Sequence, residues 1–287
     1  MALKSVLNYP KRGSWGDKNW RGNTSGYIIL DICQSFKPSL FVDVCEGSGT
    51  SRDVCNELNI PYVGLDLHNG NDFTKDYVLH SIPHPADVVF SHPPYHDMIH
   101  YKNDARDTSR CSNVDEFLEK SQLMLLNQRE ATADNKFYMT LIGDQRKAGE
   151  YRSFQADFIR MMPRNELHNV IIKQQNNMLS NQKSYQGNFI PIEHEYLIIW
   201  KKKPLKLWNI AFDMAVEFQN FIATTWRNAI RIVLMKLGTA SLSEIYDEVE
   251  IVAKHLISKN PNWKAKIRQK LQMHFTNVER GVWTLSA

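Results

Sequence analysis

The sequence predicts an α/β protein with a doubly wound, mostly parallel sheet, followed by a smaller domain at the carboxyl end. Between Asp31 and Trp200, short β-rich apolar runs alternate with longer helix-compatible stretches, which is typical of a parallel sheet covered by helices. After Trp200, a lysine run and Pro204 precede helical patterns of a different kind. A chain of 287 residues that is 43% hydrophobic can bury one sizeable core and still supply a small second domain. We therefore predict two domains, residues 1–205 and residues 206–287.

The elements of the first domain follow from the spacing of apolar and turn residues. The apolar runs predicted as strands are Leu40–Val44, Tyr62–Leu65, Asp87–Phe90, Phe137–Ile142, Val170–Ile172 and Glu195–Trp200. The longer segments predicted as helices are Gly26–Ser35, Ser51–Leu58, Val114–Asn127 and Tyr151–Met161. Because a doubly wound sheet holds its ligand at the carboxyl ends of the strands, the residues that follow these runs are the candidate site residues.

The second domain has the outline of a winged helix. Trp226–Leu237 is predicted to be an amphipathic helix, and Ser241 with Glu244 forms a capping box that starts a second helix. A third helix is predicted from about Pro261, and Val278–Leu285 is predicted to close the domain as a hairpin. Basic side chains of the third helix are candidate contacts to nucleic-acid phosphates, with a solvated surface as the alternative: Lys264, Lys266, Arg268 and Lys270.

Composition limits the class of protein. Lys and Arg number 35 against 31 Asp and Glu, so the net charge of +4 permits nucleic acid as a partner without requiring it. The four cysteines are not spaced as metal ligands and no histidine cluster completes a zinc pattern, so we expect a reduced, cytoplasmic protein without a metal. No apolar run approaches the roughly 20 residues that span a bilayer, so we expect no membrane function.

The segment from Phe41 to Thr50 is a buried strand that runs into a glycine-rich turn and then a helix. Gly47 and Gly49 let a ligand approach the backbone, and the following helix amino terminus favours negative charge. The third glycine of a dinucleotide fingerprint would fall at Arg52, and no Gly-Lys-Ser/Thr follows, so neither that fingerprint nor a P-loop is present. The pattern indicates a nucleotide-like ligand, with a plain tight turn as the alternative.

The next strand ends at Asp66, where a carboxylate is well placed to accept the hydroxyl protons of a ribose. Asp72 and Phe73 follow, offering a carboxylate for an adenine amino group and a ring for its face. A surface loop is the alternative for Asp72.

The strand Asp87–Phe90 stops in the turn Ser91-His92-Pro93-Pro94-Tyr95. With the glycine turn and Asp66 in the same order, this segment resembles the S-adenosylmethionine-dependent amino-methyltransferases of DNA, over about residues 20 to 200. The resemblance implies a Rossmann-like fold and a catalytic turn formed by His92, Pro93, Pro94 and Tyr95, in which the Pro93 carbonyl accepts an N–H proton and Tyr95 stacks on a flipped base. It implies that S-adenosylmethionine binds among Thr24, Ser25, Asp43, Cys45, Glu46, Gly47, Ser48, Gly49, Thr50, Asp66, Leu67, Asp72, Phe73 and Ser91, with an N-cap as the alternative role for Thr24 or Ser25.

His92 departs from the family pattern, which has Asp, Asn or Ser at this place. A neutral imidazole can accept one hydrogen bond from the target amine, whereas a protonated imidazole cannot. Ser91 would take the role if the turn were shifted by one residue, but strand alternation points its side chain elsewhere. The departure leaves adenine and cytosine both open as the target base.

The chain is also similar to the adenine methyltransferases of Mu-like prophages, which implies the N6 amine of adenine in DNA as the acceptor and weak sequence specificity. We expect a monomer or weak homodimer. Asp144 and Arg146 are candidate pocket residues, the loop Gln174–Phe189 is a candidate base-contacting loop, and His194 with Glu195 is expected to be a structural pair. The alternatives are an N4-cytosine methyltransferase, a methyltransferase of RNA bases or of protein glutamine, and a DNA-binding protein without catalysis.

Overall fold

The computed structural model describes residues 3–176, 190–204 and 225–285. The chain forms two compact units, Met1–Pro204 and Leu205–Ala287. Most of the candidate base-contacting loop Gln174–Phe189 lies outside the described residues. None of the helices in the described ranges combines the length and the apolar character needed to cross a membrane.

The first unit contains one large sheet, a small hairpin and four α-helices in its described residues. The strands of the large sheet are β1 (Val6–Asn8), β2 (Phe41–Asp43), β3 (Tyr62–Gly64), β4 (Ala86–Ser91), β5 (Thr132–Ile142), β8 (Leu167–Gln174) and β9 (His194–Lys201). The hairpin consists of β6 (Gln145–Lys147) and β7 (Glu150–Arg152). The helices are α1 (Gly26–Phe36), α2 (Thr50–Glu57), α3 (Val114–Ala131) and α4 (Phe154–Met161).

The large sheet has the strand order β1-β8-β9-β5-β4-β2-β3. Every neighbouring pair is parallel except those that include β9, which runs antiparallel to both β5 and β8. From β2 the chain continues to β3 on one side and then to β4 on the other, so the winding reverses between β2 and β4. This topology confirms the predicted Rossmann-like doubly wound sheet, and the reversal point is where such sheets bind ligands.

The central strands are rich in apolar residues, and their side chains are buried in the interior of the unit. Phe41, Val42 and Phe90 are almost completely buried. The α1 residues Ile28 and Ile32 are buried in the same cluster as Phe41 and Phe90. Burying a side chain of this size contributes roughly 1.5–3 kcal/mol relative to leaving it exposed. The core therefore holds the carboxyl ends of β2 and β4 at fixed positions beneath the ligand site.

The sequence-based prediction for this unit is wrong about the start of one helix and omits one strand. The helix predicted over Tyr151–Met161 begins at Phe154, because Glu150–Arg152 pairs with Gln145–Lys147 as a hairpin. The edge strand Val6–Asn8 was not predicted at all. Strands of three residues are too short to show a period of two, and only their partners in the fold define them.

In the second unit, the described residues form α5 (Trp226–Leu237), α6 (Leu242–Val252), α7 (Lys254–Ser258) and α8 (Trp263–His274), with an antiparallel sheet of β10 (Ala240–Ser241), β12 (Val282–Thr284) and β11 (Thr276–Glu279). The predicted capping box is confirmed, since the Ser241 hydroxyl accepts from the Glu244 N–H and the Glu244 carboxylate accepts from the Ser241 N–H. The third helix begins at Trp263 rather than at Pro261. The winged-helix assignment stays a prediction.

Candidate active site

An open cleft of about 830 Å³, a volume that includes solvent at its mouth, lies at the reversal point between β2 and β4. Its size suits a small-molecule ligand. The predicted cofactor residues that line it are Thr24, Asp43, Cys45, Glu46, Gly47, Ser48, Thr50, Asp66, Leu67, Asp72 and Phe73. His92 and Pro94 of the predicted catalytic turn line the same cleft. The sheet therefore brings the glycine turn and the Pro-Pro turn to one cavity.

The glycine turn has a backbone that side-chain-bearing residues rarely adopt. Gly47 and Gly49 have φ angles of 52° and 82°, and Gly49 is the N-cap of α2. A Cβ on Gly47 would lie 3.3 Å from the indole nitrogen of Trp20. Asp66 holds the turn from the neighbouring strand, because its Oδ2 accepts a hydrogen bond of 3.0 Å from the Gly47 N–H. The side chain of Asp66 thus fixes the position of the Gly47 backbone in the turn.

Three carboxylates give this side of the cleft a negative character. Asp43 is buried and accepts hydrogen bonds from the Ser51 hydroxyl at 2.5 Å and from the Cys45 N–H at 2.9 Å. Burial, with a smaller contribution from the nearby Glu46 and Asp66, raises the pKa of Asp43 to about 7 against the lowering effect of these two hydrogen bonds. A cation bound beside Asp43 would favour its ionised form and be attracted by it.

The rim of the cleft contains residues that the sequence analysis missed. Trp20 and Tyr101 lie at 6.5 Å between ring centroids and both line the cleft. Thr24 and Thr108 line it as well, and their buried hydroxyls have no hydrogen-bond partner within the described ranges. Because buried polar groups are normally paired, these two hydroxyls point to a ligand with polar groups. Trp20 and Tyr101 belong to irregular segments and Thr108 begins a 3₁₀ helix of three residues, so no periodicity or motif marks them.

His92 and Tyr95 form one hydrogen-bonded unit at the end of β4. The His92 Nε2 lies 2.9 Å from the Tyr95 hydroxyl. The Tyr95 ring packs against Gly143, where an added Cβ would come within 2.6 Å of the ring. Burial lowers the pKa of His92 to about 4, with Lys173 adding to the shift and Glu195 opposing it. The imidazole is therefore neutral at physiological pH, as a hydrogen-bond acceptor must be.

Glu195 reaches this unit because β9 runs antiparallel to its neighbours. Its register pairs Glu195 with Lys173 at the edge of the sheet where β4 ends. The Glu195 carboxylate accepts from the Lys173 ammonium at 2.8 Å and from the Gln175 amide. Burial and, after it, the charge of Glu195 raise the pKa of the Tyr95 hydroxyl. Burial raises the pKa of Glu195, but Lys173, His92 and the hydrogen bonds from Lys173 and Gln175 lower it to about 2.

The expected structural pair of His194 and Glu195 is wrong. The His194 Nε2 instead lies 2.7 Å from the Tyr196 hydroxyl, while Glu195 turns to Lys173. Successive side chains of a strand point to opposite faces, so neighbours on β9 cannot share a partner. Asp144 and Arg146 do not line the cleft: Asp144 accepts from the Tyr151 hydroxyl at 2.8 Å, and Arg146 lies over the Tyr151 ring.

Other predicted residues also lie away from the cleft lining. Ser25 is the N-cap of α1, where its hydroxyl accepts from the Tyr27 N–H. Its position is therefore that of the helix cap named above as the alternative to cofactor binding. The Ser91 hydroxyl is buried and bonded to Gln128 and Thr140, because strand alternation turns it into the protein. Three further predicted residues belong to the glycine turn or the Pro-Pro turn but are not part of the cleft lining: Gly49, Pro93 and Tyr95.

The similarity of this chain to known proteins is low in both sequence and structure. No protein-family model and no curated sequence matches the chain. It is similar to the structure of TTHA0409 from Thermus thermophilus, a candidate DNA modification methylase complexed with S-adenosyl-L-methionine. The two are 18% identical with a TM-score of 0.34, and the match covers 47% of this chain and 55% of that one. An rRNA methylase from Streptococcus thermophilus is 10% identical with a TM-score of 0.35, and the match covers 62% of this chain and 96% of that one. Human N-acetylserotonin methyltransferase is 11% identical with a TM-score of 0.34, and the match covers 62% of this chain and 51% of that one. The chain spans about half the length of TTHA0409. TM-scores this low carry no argument, so function rests on the residues of the chain itself.

Proposed function

We propose that this protein transfers a methyl group from S-adenosylmethionine to the N6 amine of adenine in DNA, with little sequence specificity. The observation that carries the proposal is that one cleft is lined both by the glycine turn with its carboxylates and by His92 and Pro94. A donor site and an acceptor site must share a cavity for group transfer, because the reacting atoms have to come within about 3–3.5 Å.

The cleft fits S-adenosylmethionine through its own donors and acceptors. Asp66 keeps lone pairs for ribose hydroxyls beyond those used on Gly47 and His68. Asp72 and Phe73 would hold the adenine. The Thr24 hydroxyl, which has no hydrogen-bond partner among the residues that the structure describes, suits the methionine end. Asp43 would attract the positive charge of the sulfonium. When bound, the cofactor supplies an electrophilic methyl group.

The substrate amine is a poor nucleophile, since its lone pair is delocalised into the base. In the proposed reaction, the neutral His92 ring and the Pro93 carbonyl accept the two N–H protons as hydrogen bonds, which localises the lone pair toward the methyl donor. The Tyr95 ring would stack on a base flipped out of the duplex. Positioning and polarisation of this kind need no covalent intermediate.

We further propose that α8 contributes contacts to DNA phosphates. Ile267 and Leu271 of this helix are buried in the core of the second unit, and the basic residues flank that buried stripe. Two of them lie on Tyr246: Arg268 donates to its hydroxyl at 2.9 Å, and Lys264 lies 5.2 Å above its ring. With Lys266 and Lys270 they form a basic surface that would add a salt-dependent affinity. A cytoplasmic monomer or weak homodimer is part of the same proposal.

Transfer of a tritiated methyl group tests the proposal directly. The protein is offered duplex DNA, single-stranded DNA, RNA and protein side by side, and the labelled polymer is digested and identified by mass spectrometry. We expect N6-methyladenine in DNA. N4-methylcytosine, a labelled RNA base or methylglutamine would replace the proposed acceptor with another one. Absence of S-adenosylmethionine binding in calorimetry would overturn the enzymatic assignment altogether.

A further inference from the structure

The small hairpin of β6 and β7 lies at the same edge of the sheet as the Pro-Pro turn. Strands β4 and β5 are parallel neighbours, so their carboxyl ends, Ser91 and Ile142, share one edge. The Pro-Pro turn follows β4, and the hairpin follows β5 after Gly143 and Asp144. Residues 146–151 of the hairpin are all exposed. In the proposed reaction a flipped base has to reach the Pro-Pro turn, so the strand that carries this base passes close to the hairpin.

Two contacts fix the hairpin to the Pro-Pro turn. The Tyr95 ring packs against Gly143, where an added Cβ would come within 2.6 Å of the ring. Two residues beyond Tyr95, the Asp97 carboxylate accepts a hydrogen bond of 3.0 Å from the Gln145 amide and pairs with the Lys147 ammonium. The hairpin therefore holds a defined position beside the acceptor side of the cleft.

Arg146 and Tyr151 form a stacked pair on this hairpin. They are direct cross-strand partners, and the guanidinium carbon of Arg146 lies 5.2 Å from the centroid of the Tyr151 ring. The Tyr151 hydroxyl donates to the buried Asp144 carboxylate at 2.8 Å, and the Gln155 N–H donates to the other oxygen at 3.1 Å. A cation is attracted to the face of an aromatic ring. The anchored ring therefore holds the Arg146 guanidinium at the surface.

The charges around the pair favour an anion as the ligand of Arg146. Glu150 is matched by Arg152 at 3.1 Å, and Asp97 is matched by Lys147. A guanidinium that stacks through its face keeps its N–H groups at the edge, where the planar fork fits two oxygens of a phosphate. The anion that lies nearest to a base in the Pro-Pro turn is a phosphate of the same strand.

We propose that Arg146 binds a backbone phosphate of the DNA strand that carries the target base, and that Tyr151 is the positioning residue that holds its guanidinium for this contact. The contact rests on the proposed function, since DNA is taken as the polymer. It assigns a DNA-binding role to a surface of the first unit, independently of the basic surface on α8. No covalent bond forms or breaks in it.

The test is binding of a fluorescently labelled DNA duplex to the full chain, measured by anisotropy over a range of salt concentrations with S-adenosylhomocysteine present. Arg146→Ala is expected to weaken binding about 10-fold, as the loss of a charged hydrogen bond predicts. It should also lower the slope of log K against log salt by about 0.9, the change for one phosphate. Arg146→Lys keeps the charge and is expected to keep the slope.

Arg164→Ala is the matched control. This exposed arginine lies just before the amino end of β8, which is at the opposite edge of the sheet from the hairpin. We expect its duplex affinity and salt slope to equal those of the unmodified protein. Calorimetry with S-adenosylmethionine should give the same affinity for every variant, because none of these residues lines the cleft.

A double-mutant cycle tests whether Tyr151 acts through Arg146. Tyr151→Ala is expected to lose part of the affinity that Arg146→Ala loses, and to have no further effect when Arg146 is already replaced. Tyr151→Phe keeps the ring, removes the bond to Asp144 and is expected to have a smaller effect. A merely structural role of Tyr151 would instead weaken binding in both backgrounds.

Unchanged duplex affinity and salt slope in Arg146→Ala would overturn the phosphate contact, and additive losses in the double variant would overturn the role of Tyr151. If Arg146→Ala weakens duplex binding as expected but no base is methylated, the proposed methyl transfer fails and the contact stands. If DNA is methylated and Arg146→Ala binds it like the unmodified protein, the proposed function stands and the contact fails. A chain that binds no DNA would overturn both.

Discussion

The two sides of the cleft are both built from strand ends, yet they differ in how they use charge. On the glycine-turn side, Asp43, Glu46 and Asp66 lie close together, and burial raises the pKa of Asp43 to about 7. On the Pro-Pro side, the carboxylate of Glu195 is paired with the ammonium of Lys173. Here Pro94 and His92 line the cleft, and the imidazole of His92 is neutral because burial lowers its pKa to about 4. One side is suited to attract a cation and the other to accept a hydrogen bond without carrying a charge.

Because the two sides differ in this way, we expect mutations on each side to change a different measured quantity, either turnover or cofactor affinity. Changes on the Pro-Pro side are expected to reduce turnover without affecting cofactor affinity, and changes on the glycine-turn side are expected to do the opposite. A variant on one side that changes both turnover and cofactor affinity would show that the two sides act as one unit.

The largest expected effect is that of His92→Ala. Without an acceptor at this position the amine lone pair stays delocalised, and we expect methyl transfer to fall by about 10²-fold or more. His92→Asn provides another acceptor and is expected to retain measurable activity. Calorimetry with S-adenosylmethionine serves as the control and should give the same affinity for all three proteins. Equal activity of His92→Ala and the unmodified enzyme would remove His92 from the mechanism.

Asp66→Ala is expected to have the second largest effect, on cofactor binding. The substitution removes ligand hydrogen bonds to a charged group and also the 3.0 Å contact that holds the Gly47 N–H. Losing charged hydrogen bonds costs about 1.5–3 kcal/mol, so we expect the Kd for S-adenosylmethionine to rise by about 10-fold or more. Asp134→Ala, near the amino end of β5, is the matched control, since its side chain is 54% exposed and lies at the opposite edge of the sheet.

A smaller effect is expected from the basic surface on α8. Replacing both Lys266 and Lys270 with Ala should weaken binding to any duplex sequence and lower the slope of log K against log salt by about one per lost phosphate contact. Lys259→Ala, an exposed lysine of the same unit, is the control. An unchanged salt slope would assign these lysines to a solvated surface, without consequence for the cleft.

The smallest expected effect is a pH dependence of cofactor affinity. Asp43 is neutral below its pKa of about 7 and ionised above it. Because an ionised Asp43 attracts the sulfonium, affinity should increase a few-fold as pH rises through about 7. Titration calorimetry over this range measures the slope, and Asp43→Asn should abolish the part due to this carboxyl. Any slope that remains in Asp43→Asn belongs to the ligand's own amine or to another group.

Cofactor-side residues were predictable because they occur in short motifs. The glycine turn and Asp66 each follow an apolar run directly, and a parallel sheet brings such strand ends to one edge. Ser91 shows the limit of this reasoning. Ser91 also ends a strand, but its hydroxyl is turned away from the cleft toward Gln128 and Thr140, in the direction that the alternation of side chains along the strand predicts.

By itself the sequence determined the doubly wound sheet, the glycine turn, and the Pro-Pro turn with its unusual His92. Only the tertiary structure brought in Lys173 and Glu195, since their approach depends on β9 inserting antiparallel between β5 and β8. Local patterns specify local backbone geometry, because the hydrophobic periodicity and the glycines act within a few residues. The pairing of Glu195 with Lys173 depends instead on the register between distant strands, and no local pattern contains that information.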